Sequence, residues 1–226
     1  MKHAVQTFVE GVAQMYAWKA AKGQVPGAEL GEFIDLLHNM DWSDQERPIP
    51  SPATIPGLRH MQSALAAAYA EGPCPIVDAL RLCIGVTPWE TYYAESAWSQ
   101  PFLHEFASGE LVGPNGFFPS NDVSLGLFLL GPNTTYTEHA HASSEVYYIL
   151  SGTVTCRIGY PLCPRTARPG DLIYTAPDER HDIQTGDAPM LAVYTWKGDP
   201  SATSYHFDEG PWRGGNVVCP PLINRG

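Results

Sequence analysis

The residues best suited to chemistry lie together in Y-T-E-H-A-H-A-S-S-E-V-Y-Y-I-L-S-G, residues 136–152. His139 and His141 are two apart, so on a strand both imidazoles project from one face. Two imidazoles side by side can share one metal ion. The A-S-S that follows supplies a turn, and Glu145 opens a second strand with Tyr147 and Ile149 on the same face. Folding the two strands together brings the Glu145 carboxylate beside the imidazoles and places Tyr147 next to the ion. The fourth ligand must come from far along the chain. The best candidate is His181 in G-D-L-I-Y-T-A-P-D-E-R-H, which follows a strand and a proline-containing turn. Three His and one Glu leave positions open on a metal that takes five or six ligands, which suits reaction rather than structural support. Zinc, iron, manganese, cobalt and nickel all accept this mixture, so the cofactor expected is one divalent transition metal per chain. His3, His38, His60, His104 and His206 lack such a pattern and are read as structural or exposed. Glu138 and Asp182 flank ligands and are read either as supporting partners or as solvated carboxylates.

The elements that must hold these residues change character along the chain. Before about residue 100 the pattern is helical: Val5, Phe8, Val9, Val12 and Tyr16 recur at helical spacing, and Leu30, Phe33, Ile34 and Leu37 form a second stripe. P-G-L-R-H-M-Q-S-A-L-A-A-A-Y-A predicts a third helix with Pro56 in its first turn, and a short fourth is expected from Ile76 to about Ile84. D-Q-E-R-P-I-P-S-P reads as an extended linker. Later come V-S-L-G-L-F-L-L-G, E-V-Y-Y-I-L-S-G-T-V-T-C-R-I-G, D-L-I-Y-T-A-P and M-L-A-V-Y-T-W-K-G, separated by G-P-N, P-R-T-A-R-P-G, P-D-E-R and T-G-D-A-P. Closely spaced strands without intervening helices predict an antiparallel sandwich or small barrel. The expected division is a helical region over 1–100 and a metal-binding β-barrel over 101–226.

Composition narrows the partners. Lys+Arg is 13 and Asp+Glu 24, a formal charge of −11, and an acidic surface repels nucleic acid. With 44% hydrophobic residues the chain is expected to fold, and 21 Gly with 21 Pro fit many tight turns. No apolar run is long enough to span a bilayer, and Gln6, Glu10 and Gln14 interrupt the N-terminal stretch, so no signal peptide or membrane association is expected. Cys74, Cys83, Cys156, Cys163 and Cys219 form no C-x-x-C and are odd in number; each is read as a small buried hydrophobe in a reducing, cytoplasmic compartment.

The His139, His141, Glu145 and Gly152 spacing resembles the first cupin motif, and Gly170 to His181 resembles the second. Three positions depart from the pattern: Ala176 stands where proline is usual, with Pro177 one place late, and Asp178 and Asn133 stand where glycine is usual. The resemblance implies a mainly β fold, a double-stranded β-helix or jelly-roll barrel, behind a helical N-terminal part. Within the cupins, the chain is similar to the dimethylsulfoniopropionate lyases of marine bacteria, through Tyr136 three residues before His139, the E-x-Y of Glu145 and Tyr147, and the Y-T-W-K-G strand end with Tyr194 and Trp196. That likeness implies a small zwitterionic sulfonium substrate, β-eliminated to dimethyl sulfide and acrylate with metal assistance. Tyr147 is then the base that removes the α-proton and Tyr136 its helper, while Trp196 and Tyr194 face the sulfonium. Tyr136 differs in parity from His139 and His141, so a bulge or bend at Thr137–Glu138 is needed to turn it inward. A homodimer is expected. The alternative is an Fe(II)-dependent dioxygenase acting on a small carboxylate, separable by oxygen consumption. A third reading is a cupin that binds a small molecule without turning it over. A phosphosugar isomerase is disfavoured by the few basic residues of the barrel half.

Overall fold

The computed structural model describes residues 1–23, 27–43, 46–48, 54–72, 74–159, 163–207 and 217–218. Among the described residues four α-helices come first: α1 (Lys2–Ala21), α2 (Gly27–His38), α3 (Met61–Ala70) and α4 (Pro75–Cys83). Each falls where the apolar spacing predicts a helix. The third opens differently, as Pro56–His60 forms a 3-10 turn before α3. Cys219 and the linker residues 44–45 and 49–52 lie outside the described residues. The linker's Arg47 is pinned to the barrel by its backbone N–H on the Phe117 carbonyl and its guanidinium on the Gly116 carbonyl.

Nine strands of four or more residues follow among the described residues, besides shorter pieces: β1 (Phe106–Gly113), β2 (Val123–Leu130), β3 (Thr135–His139), β4 (Ser144–Ser151), β5 (Val154–Ile158), β6 (Cys163–Ala167), β7 (Leu172–Thr175), β8 (His181–Thr185) and β9 (Met190–Lys197). One sheet runs β1-β2-β9-β4-β7, extended by two-residue pieces at Trp89–Glu90 and Phe118–Pro119 beside β1; the other runs β3-β8-β5-β6. The antiparallel pairs β2–β9, β3–β8, β4–β7 and β5–β6 are nested, so the chain is one long hairpin wound back and forth between two sheets. That is the jelly roll, the double-stranded β-helix. P-R-T-A-R-P-G, read from sequence as a separator, is in part strand: Cys163–Ala167 pairs with β5 along the open edge, and its exposed side chains hid it from a hydrophobic pattern. β1 was also unforeseen.

The larger sheet is covered on both sides, which explains the near-continuous apolar runs of β2 and β9. Its outer face, including Leu125, Leu127, Leu191 and Val193, packs with Val5, Phe8, Val12 and Tyr16 of α1 and Leu80 of α4. The Tyr16 hydroxyl, fully buried, meets the Thr195 hydroxyl at 2.8 Å and ties α1 to β9. The inner face, with Phe128, Tyr147, Ile149, Ala192 and Tyr194, forms a second core between the sheets, joined by Tyr136 and Ile183 from the smaller sheet. No described helix is long and apolar enough to cross a membrane. Cys83 and Cys156 are buried as expected, whereas Cys163 is exposed on the edge strand β6.

Candidate metal centre and cavity

His139 ends β3, His141 follows it, Glu145 opens β4 and His181 opens β8. Register brings them together: His181 faces His139 across β3–β8. One ligand atom from each of His139, His141 and His181 lies within 4.8 Å of the others, and all three residues are buried. Glu145 joins them, with Oε2 3.1 Å from His141 Nε2 and 3.5 Å from His181 Nε2.

The tautomers are set by the backbone. Nδ1 of His139 lies 2.8 Å from the Thr137 carbonyl, that of His141 2.9 Å from Ser143, and that of His181 2.7 Å from Glu179. A carbonyl only accepts, so each Nδ1 carries the proton and each Nε2 presents a lone pair. Three lone pairs and a carboxylate then face one another out of water, with His181 Nε2 buried and without a hydrogen bond. Acceptors packed this way repel unless a proton or a cation lies between them. Protonation is resisted: burial, then the neighbouring His181 and His141, hold His139 well below its ordinary value. Burial raises the Glu145 carboxyl, and positive neighbours more than offset it: protons on His141 and His181 would hold it below its ordinary value, and a cation in their place would do the same. The donor set therefore fits a divalent cation bound by three neutral imidazoles and one carboxylate oxygen.

Trp196 approaches this centre from β9. Its indole N–H donates to Glu145 Oε1 at 2.6 Å, and its ring lies 4.3 Å from that of His141. Its polar edge is thus committed to the carboxylate, a role its aromatic character did not foretell. Glu138 and Asp182 are turned away and ion-paired, to Arg180 and Arg157 respectively.

Tyr136 does turn inward, by the route its parity required. Between the pairs His181–His139 and Ile183–Tyr136, β3 spends one more residue than β8. This bulge is held from outside: Trp98 donates its indole N–H to the Glu138 carbonyl and accepts from the Thr137 hydroxyl on its own carbonyl, both at 3.0 Å. The Tyr136 ring then sits 4.4 Å from that of His139. The motif's missing glycines are explained as well. Asn133 (φ 52) and Asp178 (φ 60) are the two non-glycine residues with positive φ among the described residues. Asn and Asp tolerate that left-handed conformation best, so the turns keep their shape without glycine.

Beside the centre lies a cavity of about 360 Å³, whose walls include Glu145, Tyr136, Tyr147, Tyr194 and Trp196. The sequence reading missed Tyr92 and Tyr93, which come from the segment between α4 and β1 and also line it. The doublet in E-T-Y-Y-A was the available signal, but nothing local linked it to a barrel. Tyr93 Oη lies 2.7 Å from Tyr136 Oη and donates to the Ser204 hydroxyl at 3.1 Å. Burial, and next the Glu145 carboxylate, push the Tyr147 phenol well above its ordinary value. Burial does the same to Tyr136, reinforced by Tyr92 and Tyr93.

Comparison with known proteins places the chain in a family. The dimethylsulfoniopropionate lyase family profile matches residues 35–192. The dimethylsulfoniopropionate lyase DddQ of Ruegeria pomeroyi is 30% identical over 161 residues, covering 69% of this chain and 77% of its own. The crystal structure of that lyase superposes with a TM-score of 0.60 at 26% identity, over 88% of this chain and 94% of its own. A chain from the crystal structures of the lyases RdDddP and RnDddQII, at 21% identity, shares the fold with a TM-score of 0.61 over 88% of this chain and 94% of its own. With its jelly roll, its helical N-terminal part and a match over most of its length, the chain belongs to the dimethylsulfoniopropionate lyase family.

Proposed function

We propose that the protein is a carbon–sulfur lyase that cleaves dimethylsulfoniopropionate to dimethyl sulfide and acrylate by metal-assisted β-elimination. The observation that carries this reading is the buried convergence of His139, His141, His181 and Glu145 at a cavity walled by tyrosines. The four residues would hold one divalent cation, whose charge polarises a substrate carboxylate and favours the ionised form of a neighbouring phenol.

The protein's own groups account for the rest. The α-carbon–hydrogen bond breaks, its electron pair becomes the carbon–carbon double bond, and the β-carbon–sulfur pair leaves with sulfur as neutral dimethyl sulfide. The proton passes to Oη of Tyr147, which stands two residues from Glu145 on the same face of β4. In the metal-free protein that phenol resists ionisation, since burial and Glu145 both raise it, so base strength depends on filling the centre. Tyr136 assists, and its link through Tyr93 to Ser204 gives a line of hydroxyls along which the proton can be passed on. Tyr194 and Trp196 present ring faces to the sulfonium; such contacts contribute about 2 kcal/mol when desolvated. The walls close around the substrate and limit competing water. A cytoplasmic homodimer belongs to the same proposal, and light scattering tests the dimer.

The deciding experiment measures dimethyl sulfide in the headspace over purified protein, with and without chelator, while oxygen is monitored. Metal-dependent release without oxygen uptake is expected, and Tyr147→Phe should keep its metal yet lose release. A Tyr147→Phe protein that retains metal and works at the wild-type rate refutes the base assignment.

A further inference from the structure

Glu145 has a neighbour on each side across its sheet. Trp196 stands opposite it on β9 and Thr175 opposite it on β7, so Trp196, Glu145 and Thr175 form one row on the inner face. Directly opposed residues on one face hold their Cβ atoms about 4.5–5.5 Å apart, close enough for side chains to bond. Trp196 uses that closeness, with its indole N–H on Glu145 Oε1. Thr175 does not. It is 1% exposed, and its Oγ1 is buried without a hydrogen-bond partner among the described residues.

An orphan hydroxyl out of water is costly, and valine would fill the same space without that cost. Strands favour β-branched residues of both kinds, so strand propensity does not explain why threonine stands here. The acceptor it lacks is its neighbour. A carboxylate offers lone pairs on both oxygens, more than one indole N–H and one cation occupy. Water does not serve the remainder, because Glu145 is as buried as Thr175. In the metal-free protein Oε2 leans instead toward Nε2 of His141 and His181, and the threonine is left over.

The backbone that carries Thr175 is held in place. Thr175 ends β7, and the turn after it is closed by the Ala176 N–H on Glu179 Oε2 at 2.9 Å and by the Asp178 N–H on the His141 carbonyl at 2.8 Å. The same turn delivers His181, whose Nδ1–H rests on the Glu179 carbonyl. Thr175 thus belongs to the fixed stretch that presents His181, and from there it faces Glu145.

Resting on the metal-centre reading above, we propose that Thr175 is a positioning residue: when the centre is filled, its hydroxyl donates a hydrogen bond to the Glu145 carboxylate and fixes the angle at which that carboxylate meets the cation. Glu145 is then gripped from both strands beside it, by Trp196 before and after filling and by Thr175 only after. The cost of the orphan hydroxyl falls on the metal-free protein and is recovered on binding, so the hydroxyl acts in opposite directions on the two states.

The test uses the full chain stripped of metal. Co(II) is titrated against a chelator of known affinity, the visible spectrum of the bound ion is recorded, and melting is followed without metal. Thr175→Val keeps the shape and removes the hydroxyl. It should melt no lower than wild type without metal, yet bind Co(II) about tenfold more weakly and with a shifted spectrum. Thr175→Ser keeps the hydroxyl and should bind Co(II) within about twofold of wild type, with the wild-type spectrum. An unchanged affinity or an unchanged spectrum in Thr175→Val refutes the proposal. So does an equal loss in Thr175→Ser, which makes methyl packing the cause, and so does a lower metal-free melting temperature in Thr175→Val, which shows that the hydroxyl already has a partner. Should Thr175→Val fail to fold, Thr175→Ala decides against Thr175→Ser in the same way: affinity lost in the first and kept in the second supports the proposal, and equal affinity in both refutes it. If wild type binds no Co(II), the metal-centre reading falls and takes this one with it, whereas a failure confined to the variants leaves that reading standing.

Discussion

Replacing Trp196 by Phe isolates the indole N–H from the indole ring. Glu145 divides its two oxygens: Oε2 faces the imidazoles of His141 and His181, and Oε1 takes the Trp196 N–H at 2.6 Å. Phe keeps an aromatic face against His141 but has no donor. Glu145 is 1% exposed, so water cannot readily replace the lost bond. A hydrogen bond to a charged group contributes about 1.5–3 kcal/mol, and losing it frees the carboxylate to rotate away from the geometry that serves a cation. One factor of ten corresponds to about 1.4 kcal/mol, so metal affinity should fall roughly 10- to 100-fold, the range found when partners behind a ligand are removed. Competition with a chelator of known affinity reads this directly, and a melting curve without metal checks that the fold survives. If Trp196→Phe binds metal within twofold of wild type, Oε1 was not being held for the cation, and Trp196 returns to being a wall.

Three further outcomes follow from the same geometry. Metal added to stripped protein at 100 times its Kd should raise unfolding stability by about 2.7 kcal/mol in denaturant titrations, and His181→Ala should erase the gain. Asn133→Ala, which puts an ordinary residue at φ 52, should cost about 1–2 kcal/mol in urea unfolding, whereas Asn133→Gly should be neutral or stabilising. Tyr16→Phe leaves the Thr195 hydroxyl, 0% exposed, without its partner and should cost about 1–3 kcal/mol by the same assay.

Most of the candidate ligand cluster was legible because its information is local. A two-residue spacing fixes a shared face on any strand, and His139, His141 and Glu145 span a single turn. His181 was legible from its place after a strand and a proline-containing turn, and from the resemblance of its segment to a known motif, but nothing in local periodicity pairs β8 with β3. The inward turn of Tyr136 could be stated as a requirement but not located, because the bulge is held by Trp98, about forty residues earlier in the chain. Tyr92, Tyr93 and Glu110 were missed for one reason: they reach the cavity from β1, which pairs with β2 at long range, and from the segment before it, which joins β1 through Trp89–Glu90. Strand β6 escaped because an edge strand buries little, leaving no hydrophobic pattern to read.

Why a small barrel should carry a layer of helices is answered on β9. Alternate residues of a strand point to opposite faces, so Thr195 and Trp196 are neighbours in sequence and opposites in role. Thr195 is bonded to Tyr16 in the helical layer, and Trp196 is bonded to Glu145 in the cavity. A sheet face open to water would leave β9 free to breathe at the point where its inner side must hold a carboxylate to within a fraction of an ångström. Covering that face with α1 and α4 removes apolar surface from water and stiffens the strand by packing rather than by added hydrogen bonds alone. The helical half thus acts on the centre through the sheet, and its contribution should be sought in metal affinity and site order rather than in direct contact with the substrate.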